Sequence, residues 1–210
     1  METDLARAWL RAAAAAIEVN RDHLTRLDSA IGDADHGTNM HRGFTAVLQA
    51  LDGYPAATAG DVLIRAGGTL ISRVGGASGP LYGTALRTAG KRLTGERPDP
   101  AGLAAALADG LAAVCRLGSA QVGDKTMVDA FAPAVDALRA SADAGEDLGT
   151  AARAAAEAAE AGLRATAPLQ ARRGRASYLG ERSIGHEDPG AASTALLFRA
   201  LADAAARPAG

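Results

Sequence analysis

Apolar residues recur at spacings of three and four along most of this chain, and almost nowhere in the alternation of a half-buried strand. Leu103, Leu107, Leu111 and Val114 share one helical stripe, and Val128, Phe131, Val135 and Leu138 share another. Leu5, Trp9, Ala12, Ala16, His23 and Leu27 mark a longer one near the N-terminus. Glycine, proline and capping residues cut the pattern into roughly eight helices, near 3–28, 37–51, 58–73, 80–93, 100–117, 124–140, 147–166 and 189–206. Residues 94–102 and 141–149 read as ordinary connections. The stretch 167–188 has no helical stripe, and an irregular segment of that length in a compact domain is usually functional or disordered.

Composition sharpens the fold. Alanine, the strongest helix former, is used throughout, and its small faces let helices approach closely. No compositional break marks a second unit, so residues 1–210 are expected to form a single domain. The expected class is all-α, an up-and-down barrel of about eight antiparallel helices. A formal net charge of −2 with 22% charged residues supplies no global basic field for nucleic acid or an anionic membrane. The 3% aromatic content disfavours base-stacking platforms. Cys115 stands alone, which excludes an internal disulfide and a CxxC zinc site. The N-terminal stretch, interrupted by Arg7 and Arg11, lacks the plan of a signal peptide, and no uninterrupted apolar run reaches membrane-spanning length. A cytoplasmic protein is expected.

Four segments carry candidate chemistry. In "IGDADHG" (31–37), Asp33 and Asp35 lie two residues apart, with Asp28 just upstream. Their Cα atoms fall within about 7 Å. At roughly 6 Å, two carboxylates repel by ~0.7 kcal/mol in water and ~3 kcal/mol at an effective dielectric of about 20, so partial burial asks for a cation. Carboxylate oxygens are the ligands Mg²⁺ prefers, although a solvated acidic turn with a capping Asp35 or Thr38 explains the same letters. In "RVGGASGPLYG" (73–83), a glycine-rich turn runs into a helix with Pro80 at its expected start, which suits a phosphate or serves as a plain turn. In "QVGDKTMVDA" (121–130), Asp124 is expected to cap a helix, with Lys125 and Thr126 in its first turn and Met127 free to pack on a flat ligand or in the core. In 174–193, Arg175 and Arg182 could clamp phosphate oxygens, His186 beside Glu187 could be a ligand or base, and Asp188-Pro189-Gly190 reads as a helix start.

Taken in order, "LDSAIGDADHGTNMHRGF", "GGASGPLYGTAL", "GDKTMVDA" and "GRASYLGERSIGHEDPGAAS" resemble the nucleotide-binding L subunits of bacterial dihydroxyacetone kinases, over essentially the whole chain. The resemblance implies an eight-helix barrel holding ATP or ADP at one rim, with its diphosphate bound through two Mg²⁺ ions. It implies that Asp28, Asp33 and Asp35 are the metal ligands. It places His36, Thr38 and Asn39 beside the phosphates and the backbone of Gly76, Ala77, Ser78 and Gly79 around them. Thr126 and Met127 would line the nucleotide pocket, Arg175 would approach the phosphates, and Asp188, Pro189 and Gly190 would close the ribose and adenine side. One departure is visible: the family's turn commonly reads GDGDHG, whereas residue 34 is alanine. If that position needs positive φ, alanine costs about 1–2 kcal/mol there.

The implied activity is phosphoryl transfer to a ketose held on a separate K subunit, with no nucleophile or general base assigned to this chain. Alternatives are a subunit whose ADP stays bound as a phosphate carrier, recharged by a phosphoenolpyruvate-fed phosphotransferase protein, and a non-catalytic nucleotide-sensing regulator. The expected partners are the K subunit and such a phosphocarrier, with a homodimer left open.

Overall fold

The computed structural model describes residues 2–95 and 99–206, so part of the predicted connection 94–102 lies outside the described residues. Nine α-helices and one 3-10 helix are present among them, with no strand. They are α1 (Thr3–Val19), α2 (Arg21–Ile31), α3 (His36–Leu51), α4 (Ala59–Arg73), α5 (Ser78–Arg92), α6 (Pro100–Gly118), α7 (Val128–Asp143), α8 (Leu148–Ala165), the 3-10 helix Arg175–Ser183, and α9 (Pro189–Ala205). α1 packs on α3, each later helix packs on the next, and α9 closes back on α1. The result is an all-α barrel of eight staves, with α2 set at one end against α3, α9 and the 3-10 helix.

The stripes on α6 and α7 face the interior as the periodicity predicts. Leu103, Leu107 and Val114 are buried, as are Val128, Phe131, Val135 and Leu138, while Leu111 packs at the core's edge. Phe131 meets Phe198 of α9 edge to face with 5.5 Å between ring centroids, and Trp9 Nε1 donates to the Leu197 carbonyl at 2.8 Å. α6 is long and apolar enough, at a mean hydropathy of 1.4, to satisfy the length and composition of a membrane span, which the sequence reading did not anticipate. Here its apolar stripe is packed between α5 and α7.

The predicted first helix, 3–28, is two helices broken at Asn20. The Asn20 side-chain amide donates to the Ala16 carbonyl at 2.9 Å, and its backbone sits at φ −97°, ψ 8°. Asparagine competes for helical carbonyls in this way and ends helices. The break shifts the apolar phase, so His23 is exposed and Leu24 takes the buried position instead. It also carries Asp28, on the last turn of α2, to the barrel's end.

α4 and α5 make the tightest crossing, through glycines seven residues apart on each helix. A Cβ on Gly60 would lie 2.4 Å from the Gly90 carbonyl oxygen, and one on Gly67 would lie 2.5 Å from that of Gly83. Conversely, a Cβ on Gly83 would meet the Gly67 oxygen at 2.6 Å, and one on Gly90 the Gly60 oxygen at 2.7 Å. Backbone therefore touches backbone, and this fixes where the N-terminus of α5 emerges. Gly68, one residue on, faces open space. Opposite outcomes are expected in urea denaturation: Gly67→Ala destabilises by about 2 kcal/mol through overpacking, whereas Gly68→Ala stabilises by about 0.5–1 kcal/mol through helix propensity.

Candidate functional site

In an up-and-down barrel alternate staves begin at the same rim. The first residues of α3, α5, α7 and α9 (His36, Ser78, Val128 and Pro189) all line one cavity of ≈370 Å³. The positive dipole ends of all these helices therefore converge on one volume, an arrangement that favours an anion.

At its mouth Asp28, Asp33 and Asp35 each offer an oxygen, and those oxygens lie within 4.8 Å of one another. The turn folds back because Asp28 Oδ2 accepts from the backbone N–H of Asp35 at 2.8 Å and of His36 at 3.1 Å. Asp28 thus caps α3 from seven residues upstream, a role the sequence reading left to Asp35 or Thr38. Glycine is required at 32, since a Cβ there would sit 2.0 Å from Asp28 Oδ1. Asp28 is buried and the other two carboxylates are exposed. Among the described residues, the cation paired with this cluster is Arg175, whose Nε meets Asp33 Oδ2 at 2.9 Å from an exposed position. Three convergent carboxylates, two of them open to solvent, are a hard-oxygen donor set that fits Mg²⁺, which commonly completes its shell with water and phosphate oxygens.

Behind the mouth, His36 is buried between two helices' N-termini. Its Nδ1 lies 3.1 Å from Ser78 Oγ and its Nε2 lies 2.8 Å from Ser193 Oγ. The Tyr82 hydroxyl continues the network, donating to the Gly190 carbonyl at 2.8 Å and lying 2.6 Å from Ser193 Oγ and 2.8 Å from Thr194 Oγ1. Burial holds the His36 imidazole below its usual pKa, against the pull of Asp28 and Asp35. The same cause raises the Tyr82 phenol. His36 therefore acts as a neutral strut between α3, α5 and α9.

The 121–127 segment differs from expectation. α7 begins at Val128, and Asp129 organises its approach: Oδ1 accepts from Gly123 N–H at 2.6 Å and Oδ2 from Thr126 N–H at 2.8 Å. Asp124 instead accepts from Gln121 N–H and pairs with Arg173 at 3.5 Å. Lys125 is not in a helix. It has φ +61° and is 1% exposed, and its ammonium donates to the carbonyls of Thr166 (2.7 Å), Ala167 and His186. Those bonds tie the irregular 167–188 segment to the rim. Burial lowers the Lys125 pKa, opposed by Asp188, Asp129 and Glu187. Asp188 caps α9 through Ala191 N–H at 2.7 Å, and burial pushes its carboxyl up to about 7.

Of the residues singled out from sequence, Asp28, Asp33, Asp35, His36, Gly76, Ala77, Ser78, Thr126, Met127, Arg175, Asp188, Pro189 and Gly190 all line the cavity. Three do not. Thr38 is exposed on the outer side of α3. Asn39 is buried and accepts from Arg42. Gly79 packs against the carbonyls of Leu70 and Val74. Arg182 and His186 are exposed away from the cavity. Sequence reading missed Tyr82, Arg173 and an apolar wall that includes Ile31, Leu81 and Val114; these look like ordinary helix-core or loop letters until the barrel closes.

Fold and rim together define an all-helical barrel with an acidic, amide-rich pocket at one end. The chain belongs to the DAK2 domain family, whose model matches residues 30–203. It is 44% identical over 200 residues to the Listeria innocua PEP-dependent dihydroxyacetone kinase 1, ADP-binding subunit DhaL, covering 95% of this chain and 96% of that protein. It is 43% identical over 198 residues to the Escherichia coli K12 PEP-dependent dihydroxyacetone kinase, ADP-binding subunit DhaL, covering 94% of each. Among solved structures, the dihydroxyacetone kinase from C. freundii in complex with AMP-PNP and Mg²⁺ superposes with a TM-score of 0.74 at 27% identity, over 97% of this chain. This chain spans about a third of that longer one, 34% of its length.

Residue 34 does adopt φ +61°. Ala34→Gly should therefore raise unfolding free energy by about 1 kcal/mol, read from chemical denaturation, while leaving the carboxylates in place.

Proposed function

We propose that this chain is the ADP-binding subunit of a PEP-dependent dihydroxyacetone kinase, relaying phosphate to a ketose held by a separate K subunit. The observation that carries the reading is the convergence of Asp28, Asp33 and Asp35 within 4.8 Å at a rim where four helices begin. It is supported by the names of full-length relatives at 43–44% identity, both ADP-binding subunits of PEP-dependent enzymes. On this reading residues 1–210 act as one nucleotide-binding domain in the cytoplasm.

The three aspartates would hold two Mg²⁺ ions, which when bound would neutralise phosphate charge and so favour phosphoryl transfer. The amides of Gly76, Ala77 and Ser78 and the N-terminus of α5 receive the phosphate tail. Arg175, which lines the cavity beside Asp33, would offer its guanidinium to a phosphate oxygen. Met127 and the apolar wall hold the base, and Asp188, Pro189 and Gly190 flank the sugar. His36, beside the phosphates at the cavity wall, also holds the surrounding turns through Ser78 and Ser193. No nucleophile or general base for the ketose is assigned here, which is why a partner chain is part of the proposal.

A carrier must keep its nucleotide through many cycles, with a phosphoprotein of the phosphotransferase type recharging it. A chain using ATP as a diffusing substrate would exchange nucleotide freely. The purified chain, denatured, should release ADP, and labelled ATP added beforehand should fail to exchange in. Rapid exchange would replace the carrier reading with an ATP-driven kinase subunit. Bound nucleotide without phosphoryl transfer in the presence of a K subunit would leave only a nucleotide-sensing regulator.

A further inference from the structure

A second concavity, larger than the rim cavity, lies outside the rim. It is a groove of ≈1350 Å³ along the outer face of α4, walled by α3 and by Arg87 of α5. Arg42, Arg65, Arg73, Arg87 and His41 line it, and no carboxylate does. None of the four guanidiniums makes an ion pair among the described residues. The asymmetry extends through the sequence: between His36 and Arg92 the only acidic residues are Asp52 and Asp61. Asp61 is engaged in a capping box with Thr58. In a chain of net charge −2, this positive face is a local feature.

Two of the arginines are held in position. Arg42 Nη2 donates to Asn39 Oδ1 at 2.8 Å. Arg65 Nε donates to the Ala50 carbonyl at 3.3 Å, with its guanidinium 5.4 Å from the Tyr54 ring centroid. Pre-positioned guanidiniums lose less entropy on meeting carboxylates. Ile64, partly exposed, adds an apolar foothold, and Gly68 leaves the floor bare.

The groove exceeds the usual ~300–1,000 Å³ of a small-molecule pocket and is open along its length. From Ile64 to Arg73 the floor runs about 14 Å, the length of two to three helical turns. The lining holds no Phe or Trp, and the guanidinium of Arg65 lies 5.4 Å from the ring centroid of its one Tyr, Tyr54, so it offers little aromatic surface for base stacking. One end reaches the rim: a Cβ on Gly75 would lie 3.5 Å from Arg42 Nη2, and Gly75 lines the nucleotide-site cavity.

We infer that this groove seats an acidic segment of a protein partner, presenting several carboxylates to the arginines beside the cavity mouth. Only the placement beside a nucleotide rests on the function proposed above; the charge complementarity does not. Docking there would leave the rim open and bring a partner's remaining surface over it.

The test uses the full chain and a fluorescein-labelled polyglutamate peptide of about twenty residues, followed by anisotropy at low and physiological salt. The peptide should bind, and binding should weaken steeply with salt. Arg73→Glu/Arg87→Glu should reduce affinity roughly tenfold or more, and Arg73→Gln/Arg87→Gln by an intermediate factor. Both variants should keep wild-type thermal unfolding and ADP content, which separates this outcome from any failure of the rim reading. Absence of peptide binding, equal binding by both variants, or loss of ADP together with the peptide would overturn the inference. So would tighter binding of a single-stranded oligonucleotide or of phosphatidylserine vesicles at physiological salt.

Discussion

The rim depends on two hydrogen bonds, from the backbone amides of Asp35 and His36 to one oxygen of Asp28. They fold residues 32–35 back over the end of α2 and set three carboxylates around one point. Without a cation the cost of that convergence is real: at effective dielectrics between water and the protein surface, each close pair repels by one to a few kcal/mol. Arg175 meets part of that cost at Asp33. The remaining demand for positive charge is what supports the proposal that the turn receives metal rather than serving as a plain helix connection.

The second constraint is topological. Alternating staves bring four helix N-termini to the same end, so the amides that want an anion surround the carboxylates that want a cation. A metal-bound diphosphate answers both demands, while a bare anion or a bare cation answers only one. The buried chain Ser78–His36–Ser193–Tyr82 keeps α3, α5 and α9 in register behind that site. The backbone crossing of α4 and α5 fixes the stave that carries the glycine turn. Stability and site are therefore built from the same contacts.

Much of this was legible in the letters. Period-three-and-four stripes such as Leu103, Leu107 and Val114 translate directly into buried faces, because a single helix records its own burial in its spacing. The carboxylate turn was legible for a similar reason: its three members lie within eight residues of chain. What failed depends on contacts between distant segments. Asn20 reads as one polar residue in a helix until its amide is seen on the Ala16 carbonyl. Lys125 reads as a first-turn cation, yet it is a buried brace whose partners lie forty to sixty residues away. Thr38 and Asn39 share a motif with His36, but Thr38 lies about 200° around the helix from His36, and Asn39, on nearly the same face, sits almost a turn further along α3 and accepts from Arg42. Tyr82 and Val114 gain their roles only when the barrel closes around them.

The most direct test is whether nucleotide retention depends on the divalent cation and on the acidic turn. ADP carried by the purified chain would be quantified after gel filtration in Mg²⁺ and in EDTA, for the wild type and for Asp33→Asn. The wild type should keep ADP in Mg²⁺ and shed it in EDTA, and the variant, its helical circular dichroism intact, should retain little in either. Equal ADP retention by both proteins in both buffers would contradict the claim that these carboxylates hold the nucleotide through metal.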